Sequence, residues 1–306
     1  MSPSVPSGEY PRSTNKQGDG SMIGGFALTT PENDLVLKTV KSIDGGNSWQ
    51  ALGEFRGPRA THDINNPFPF ILKDGRVLYA YRNHDRKEDG TYTWFRISIS
   101  YSDDGGVNFK YLTTVDERAP SGINDLWEPF IRTDGGKTWS GPKTISGAAI
   151  EARDGMLGIA PVDNNGALIA VFETTDGGRF VVDSVTSPDD GATWGNHQRV
   201  YTPTGGPKKG AGAPQVWNVW GTLVVSFMTD EDRDSTTGYA NCATKIMTST
   251  DGGNTWGNKF IVFDDQANWS GMALLDPSHL LVMAGINGRG ATSQKVQLEL
   301  TERIYG

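Results

Sequence analysis

The chain has almost no sulfur chemistry open to it. A single cysteine, Cys242, stands among 306 residues, which excludes an intrachain disulfide and a thiolate metal cluster. Histidine is nearly as scarce, with four scattered residues, and they form no zinc-ligand spacing. No apolar run approaches the roughly 18 residues that a membrane helix needs, so no membrane partner is expected. The opening stretch, MSPSVPSGEYPRST, has no apolar segment of the leader type, so no signal peptide is visible. Basic residues are in deficit, 28 Lys and Arg against 36 Asp and Glu, giving a net charge of -8. Nucleic acid is therefore disfavoured as a partner, and a neutral or cationic ligand is easier to accept. Nothing here demands a metal or an organic cofactor, and neither is expected.

What the chain does hold is glycine, 39 residues, and tryptophan, 9 residues. Tight turns and aromatics together favour an all-β protein. Five stretches repeat one pattern: Ser42-Ile-Asp44-Gly-Gly-Asn-Ser-Trp49, Ser102-Asp-Asp104-Gly-Gly-Val-Asn-Phe109, Arg132-Thr-Asp134-Gly-Gly-Lys-Thr-Trp139, Ser187-Pro-Asp189-Asp-Gly-Ala-Thr-Trp194 and Ser249-Thr-Asp251-Gly-Gly-Asn-Thr-Trp256. Each reads as a hairpin turn in which Asp bonds backbone N–H groups, Gly supplies positive φ and the aromatic tucks beneath. The pattern resembles the Asp-box, S-x-D-x-G-x-T-W, of sialidase-like β-propellers. That resemblance implies fold, and the boxes themselves read as peripheral structural turns, not ligands.

Six segments share a second shape, a polar start marked by Pro or Gly followed by two apolar strands. They begin at Tyr10-Pro11-Arg12, Asn66-Pro67-Phe68, Glu128-Pro129-Phe130, Arg153-Asp154-Gly155-Met156, Ala213-Pro214-Gln215 and Ser270-Gly271-Met272. Six starts predict an all-β, six-bladed, sialidase-like propeller in a single domain over 1–306, with 1–9 a disordered tail. Successive box aspartates lie at 44, 104, 134, 189 and 251, at intervals of 60, 30, 55 and 62 residues. A four-stranded blade takes about 40–50 residues. The short interval predicts an incomplete third blade, with a half-blade missing near 132–133.

In a propeller the first residues of the innermost strands converge on the channel mouth. Candidate polar residues there are Arg12, Asp63, Asn65, Asn66, Glu128, Arg153, Asp154 and Gln215. The second-strand ends add Arg82, Asn83, His84, Glu173, Asp230 and Glu231, and Trp127, Trp217 and Trp269 supply aromatic walls. Carboxylates, amides, Arg and flat aromatic faces suit a sugar. Glycosidic cleavage needs two carboxyls flanking one bond, and Glu128 and Glu173 are placed for it, each otherwise a solvated or ion-paired rim carboxylate. Glu231 falls in the charge run Asp230-Glu-Asp-Arg-Asp234, which reads as a solvated loop. Glu151 is ambiguous, and Arg153 alternatively pairs with a carboxylate. The sequon Asn268-Trp269-Ser270 lies at a strand start facing the channel and is expected to carry no glycan.

Longer phrases resemble glycoside hydrolase family 93, the exo-α-1,5-L-arabinanases. They are Tyr10-Pro-Arg-Ser-Thr14, Asp63-Ile-Asn-Asn-Pro67, Tyr81-Arg-Asn-His84, Leu126-Trp-Glu-Pro-Phe130, Ala152-Arg-Asp-Gly-Met156, Ala170-Val-Phe-Glu173, Ala211-Gly-Ala-Pro-Gln215 and Ser226-Phe-Met-Thr-Asp-Glu231. The likeness runs from about residue 8 to 300. It implies a secreted, fungal-type, retaining hydrolase that releases arabinobiose from linear plant arabinan. By motif Glu128 is the acid/base and Glu173 the nucleophile, roles that the motif leaves interchangeable. Arg12, Asp63, Asn66, Arg82, His84, Trp127, Arg153, Asp154 and Gln215 are the implied substrate contacts, and a monomer is expected. The family's stretch between its L-W-E-P-F phrase and the following box is absent here. Two other readings stay open: a glycan-binding propeller disabled by that gap, and a sialidase using Arg12, Arg82 and Arg153 as a carboxylate clamp.

Overall fold

The computed structural model describes residues 9–16, 18–32, 34–57, 61–120, 143–146, 154–234, 241–264 and 266–299, with side chains described from residue 18 onward. Those residues form antiparallel strands and no α-helix. Sheet I is β1 (Glu9–Lys16), β2 (Met22–Thr29), β3 (Leu35–Ser42) and β4 (Gln50–Gly57). Sheet II is β5 (His62–Ile71), β6 (Val77–Arg86), β7 (Tyr92–Ser102) and β8 (Lys110–Arg118). Sheet III is β9 (Gly155–Pro161), β10 (Leu168–Asp176), β11 (Arg179–Ser187) and β12 (Gly195–Tyr201). Sheet IV is β13 (Ala211–Val219), β14 (Thr222–Thr229), β15 (Ala243–Ser249) and β16 (Gly257–Phe263). Sheet V is β17 (Ala267–Asp276), β18 (His279–Ile286) and β19 (Gly290–Gln297). Every sheet pairs its strands in chain order.

The innermost strands pack side by side: β9 on β13, β13 on β17, β17 on β1 and β1 on β5. This is a propeller of five sheets among the described residues, not the six expected. The start at Glu128-Pro129-Phe130 and the expected incomplete third blade lie outside the described residues.

The repeated turns build the seams between sheets. In the first, the Ser42 hydroxyl bonds Asp44 at 2.8 Å and accepts the Gly46 N–H at 2.8 Å, while Asp44 accepts the Ser48 N–H at 2.9 Å. Asp104, Asp189 and Asp251 repeat the arrangement with Asn108, Thr193 and Thr255. The aromatic that ends each described turn packs into an apolar cluster. Trp49 of sheet I sits among Ala273, Leu281 and Met283 of sheet V. Phe109 of sheet II meets Ala27 and Leu37 of sheet I, and Trp256 of sheet IV joins a cluster with Ile169 and Val171 of sheet III. Gly46 is needed here twice over: its φ is +86°, and a Cβ would come within 2.6 Å of Leu281.

A polar clamp joins sheets III and IV. The fully buried Glu231 carboxylate accepts bonds from Lys245 Nζ (2.5 Å), Lys259 Nζ (2.9 Å), the Thr204 N–H and hydroxyl (both 2.9 Å) and the Tyr201 hydroxyl. The charge run from Asp230 is thus no solvated loop at its start, because two lysines reach in from β15 and β16. Burial alone pushes the Glu231 carboxyl up, but these donors outweigh it and hold it far below the usual range.

Removing Lys245 leaves that carboxylate poorly compensated. Lys245→Met is expected to lower unfolding free energy by roughly 3–5 kcal/mol in urea melts. Acid should also loosen the turns. The Ser48, Thr193 and Thr255 donors hold Asp44, Asp189 and Asp251 at about 2, below the ordinary carboxylate value. Their contribution is complete above pH ~4 and is lost as pH falls through the folded values. The melting temperature should therefore fall steeply between about pH 4 and pH 2; a flat profile there would contradict this account.

Candidate active site

Four inner strands share one irregularity. Register slips by one residue between Asn65 and Phe68 in β5, opposite Val171 and Glu173 in β9, between Gly212 and Gln215 in β13 and between Asn268 and Gly271 in β17. Within each slip lies a non-glycine residue with left-handed backbone: Asn66 (φ 51°), Met156 (56°), Ala213 (48°) and Trp269 (58°). Such residues cost of order 1–3 kcal/mol each and cluster at functional sites. A bulge bends its strand and re-aims neighbouring groups. The strand-start phrases Asn66-Pro67 and Ala213-Pro214 coincide with two of these bulges.

Opposite the bulges, the second strands place Arg82, Glu173, Met228 and Gly285. Arg82 and Glu173 are the polar members of that set. Glu173 is 1% exposed. Its Oε2 accepts the Ala213 N–H at 2.9 Å, so a side chain of sheet III is anchored on the bulge of sheet IV. A backbone donor to a carboxylate is a strong, geometrically fixed bond.

The sheet II side carries a charged cluster. Asp63, 4% exposed, accepts Arg82 Nη2 at 3.1 Å on Oδ1 and 2.9 Å on Oδ2. The Tyr92 hydroxyl donates to Asp63 Oδ2 at 2.5 Å. Burial pushes the Asp63 carboxyl up, but the Arg82 charge and the Tyr92 bond outweigh it, so its pKa is lowered. Tyr92 is pushed up to about 12, by burial first and then by Asp63. His84 is fully buried, and its Nδ1 accepts the Arg96 N–H at 3.1 Å. When neutral it therefore carries its proton on Nε2. Its ring stands edge-on to Phe95 and Tyr92, bracing the tyrosine that holds Asp63.

Other expected site residues lie at the same end of the sheets. Asn66 is buried, with its N–H bonded to Asn65 Oδ1 at 2.8 Å. Gln215 is half-buried and donates to the Pro214 carbonyl at 2.9 Å. Asp154 is half-buried just before β9. The backbone of Arg12 pairs with Gly25 at a slip in β1, while its side chain lies outside the described set. Trp127, Glu128 and Arg153 lie outside the described residues. Beneath the mouth, the bulge residues Met156 and Ala213 pack with Met228 and Cys242, and Trp269 lies against them. Among the described residues no group of three His, Cys, Asp or Glu could hold a metal ion.

Sequence reading missed Tyr92 and the Ala213 N–H. The first sits at the start of a third strand, where no motif marks it. The second is a backbone donor, which side-chain inspection does not register.

No family model matches the sequence, and no curated protein matches it. Solved structures do resemble it. The GH93 alpha-L-arabinofuranosidase of Fusarium graminearum in complex with arabinobiose superposes with a TM-score of 0.71 at 20% identity, over 95% of this chain and 93% of that one. The Penicillium chrysogenum alpha-L-arabinanase complexed with arabinobiose gives 0.51 at 13% identity, over 98% and 97%. The leech intramolecular trans-sialidase complexed with 2,7-anhydro-Neu5Ac gives 0.61 at 12% identity, over 96% and 69%. The chain thus shares the sialidase-like propeller of the GH93 structures, and at these identities the likeness establishes the fold.

One consequence of the packed mouth is chemical silence of the thiol. Burial first, and then Asp230, pushes Cys242 up to about 12. In the native chain at pH 8 it should not react with a disulfide reagent over hours, and it should react at once in denaturant. Rapid native labelling would mean that the mouth opens.

Proposed function

We propose that the chain is a retaining glycoside hydrolase of the GH93 type, acting on α-1,5-linked L-arabinan. The observation that carries the reading is Glu173: a buried carboxylate at the channel mouth, fixed by the Ala213 N–H at 2.9 Å. Rigid placement suits a nucleophile, because attack requires a near-attack geometry held before substrate arrives. The second carboxyl is Glu128, assigned on the Leu126-Trp-Glu-Pro-Phe130 phrase. It precedes Pro129 as Asn66 and Ala213 precede Pro67 and Pro214.

The reaction has two steps. A Glu173 oxygen attacks the anomeric carbon while Glu128 gives its proton to the departing glycosidic oxygen, and a glycosyl ester forms. Glu128 then takes a proton from water, whose oxygen displaces Glu173 and restores the starting configuration. The two carboxyls should lie about 5–5.5 Å apart for this course. Exo action, arabinobiose as product and an extracellular setting are what the sequence resemblance implies, and the arabinobiose bound to the Fusarium graminearum arabinofuranosidase and the Penicillium chrysogenum arabinanase supports that product. A sialidase needs three arginines for a carboxylate. Here the Arg82 guanidinium is already engaged by Asp63, which favours a neutral sugar.

The test is hydrolysis of debranched linear arabinan with sizing of products and NMR of the released anomer. The parent chain should release arabinobiose with retention. Glu173→Gln should abolish release, and Glu128→Gln should reduce it by roughly 10²–10⁴-fold. No release from a folded parent chain would sink the reading and leave a glycan-binding propeller in its place.

A further inference from the structure

Glu173 takes a donor from Ala213, and the segment that carries Ala213 is itself held from behind. The chain enters β13 from Gly210, which is gripped by both of its backbone polar groups. Its N–H goes to Asp230 Oδ1 at 2.8 Å. Its carbonyl accepts the Thr229 hydroxyl at 2.9 Å and the Asp230 N–H at 3.4 Å. Thr229 ends β14, Asp230 follows it, and each is 1% exposed. Beyond Gly210, Ala211 pairs with Thr229 and Gly212 with Met228, and pairing resumes with Gln215 opposite Ser226. Ala213 and Pro214 stand in the bulge between.

A bulge disappears if one of its flanks slides by a residue, and such a slide turns the strand's groups to the other side. The left-handed backbone of Ala213 (φ 48°) favours that relaxation. On the Gln215 flank it is resisted by the ladder that runs on to Val219. On the other flank the ladder holds Ala211 and Gly212 alone, so the grip on Gly210 decides whether the bulge stays. Asp230 is fixed in its turn. Its carbonyl accepts the Arg233 N–H at 3.0 Å. The next residue is Glu231, seated among Lys245, Lys259, Tyr201 and Thr204. Tyr201 ends β12 of sheet III, the sheet that carries Glu173 on β10. The path from clamp to Asp230, Gly210, Ala213 and Glu173 thus begins and ends on one sheet.

We propose that Asp230, assisted by Thr229, is a positioning residue for Glu173. It pins the entry of β13 so that the Ala213 N–H stays aimed at the carboxylate. The inference rests on the glycosidase reading and adds to it a residue that acts through the backbone. A reacting group misplaced by about 1 Å loses of order 10²-fold in rate, so a slide of this strand is felt in catalysis before it is felt in binding.

Steady-state kinetics of the full chain on debranched arabinan, with hydrogen exchange of the Ala213 amide read by NMR, tests this. Asp230→Ala removes the acceptor for Gly210, and Asp230→Asn keeps it without the charge. Thr229→Val keeps the shape and removes the hydroxyl, and it carries the test if Asp230→Ala does not fold. Asp251→Ala, in a rim turn, lowers stability elsewhere. Asp230→Ala should lower kcat by about 10–100-fold with KM within about twofold. Thr229→Val should lower kcat by about threefold to tenfold. Both should speed Ala213 exchange, by about tenfold or more for Asp230→Ala. Asp230→Asn should stay within about threefold of the parent in kcat, and Asp251→Ala should melt lower with kcat and exchange within about twofold. Parent-like kcat and exchange in Asp230→Ala and Thr229→Val overturns the proposal. So does a loss confined to KM, an equal loss in Asp230→Asn, or an equal loss in Asp251→Ala. If the folded parent is inert, the glycosidase reading falls and exchange alone decides. Faster exchange in the two variants then keeps the pin on the Glu173 contact, and unchanged exchange overturns it.

Discussion

The mouth of this propeller depends on a left-handed residue inserted near the start of each of four inner strands. A regular strand would commit the Ala213 N–H to its ladder partner in β14. The bulge turns that N–H outward, across the seam, to Glu173. The conformation is unfavourable for Met156, Ala213 and Trp269, whose Cβ atoms crowd the carbonyl in the left-handed region. It persists because these three residues share one packed cluster with Met228 and Cys242. Apolar contact beneath the mouth thus stabilises the strained backbone that presents polar groups above it. Strain, packing and the anchored carboxylate form one unit, and altering any of them alters all three.

The periphery solves a different problem with different residues. There the repeated Asp turns hold exposed hairpins in shape, and each terminal aromatic is a wedge in a seam. Phe109 fills in sheet II the role that tryptophan fills in sheets I and IV, and its ring packs on Phe55 and Tyr79 at centroid distances of 5.4 and 5.1 Å. The Glu231 clamp adds a polar fastening between sheets III and IV. The turns and the clamp thus fasten the outer parts of the sheets, while the bulged inner ends rest on the packed cluster beneath them.

Much of this was legible in the residues. Turn chemistry is local, so Ser42, Asp44, Gly46 and Trp49 announce the hairpin without reference to anything distant. Two residues assigned to second-strand ends do lie on second strands, Glu173 near the end of β10 and Arg82 opposite the bulge of β5. What sequence obscured was pairing at a distance. Glu231 looked solvated because its lysines stand 14 and 28 residues away on other strands. The bond from the Arg96 N–H to His84 was equally hidden, since it joins two strands across 12 residues. Six starts suggested six sheets, but one start, at Glu128, falls outside the described residues, and five sheets are described. Bulges were the least legible feature, since Asn-Pro and Ala-Pro mark only two of the four.

The order of strands within the sheets also has a bearing on how the ring comes together. Every sheet is made from one unbroken stretch of chain, with neighbours in space that are neighbours in sequence. Such sheets zip through short hairpins, which is fast and local. The seam where β17 meets β1 is the opposite case, joining strands from the two far ends of the described chain. The entropy of closing a loop grows only as its logarithm, so bridging the whole ring costs little more than about 1–2 kcal/mol beyond bridging one sheet. Closure is thus thermodynamically mild but kinetically late. Trp49, donating to Ser293 across 244 positions of sequence, is one of the contacts that must await that closure, because its two partners come together only when the ends of the chain meet.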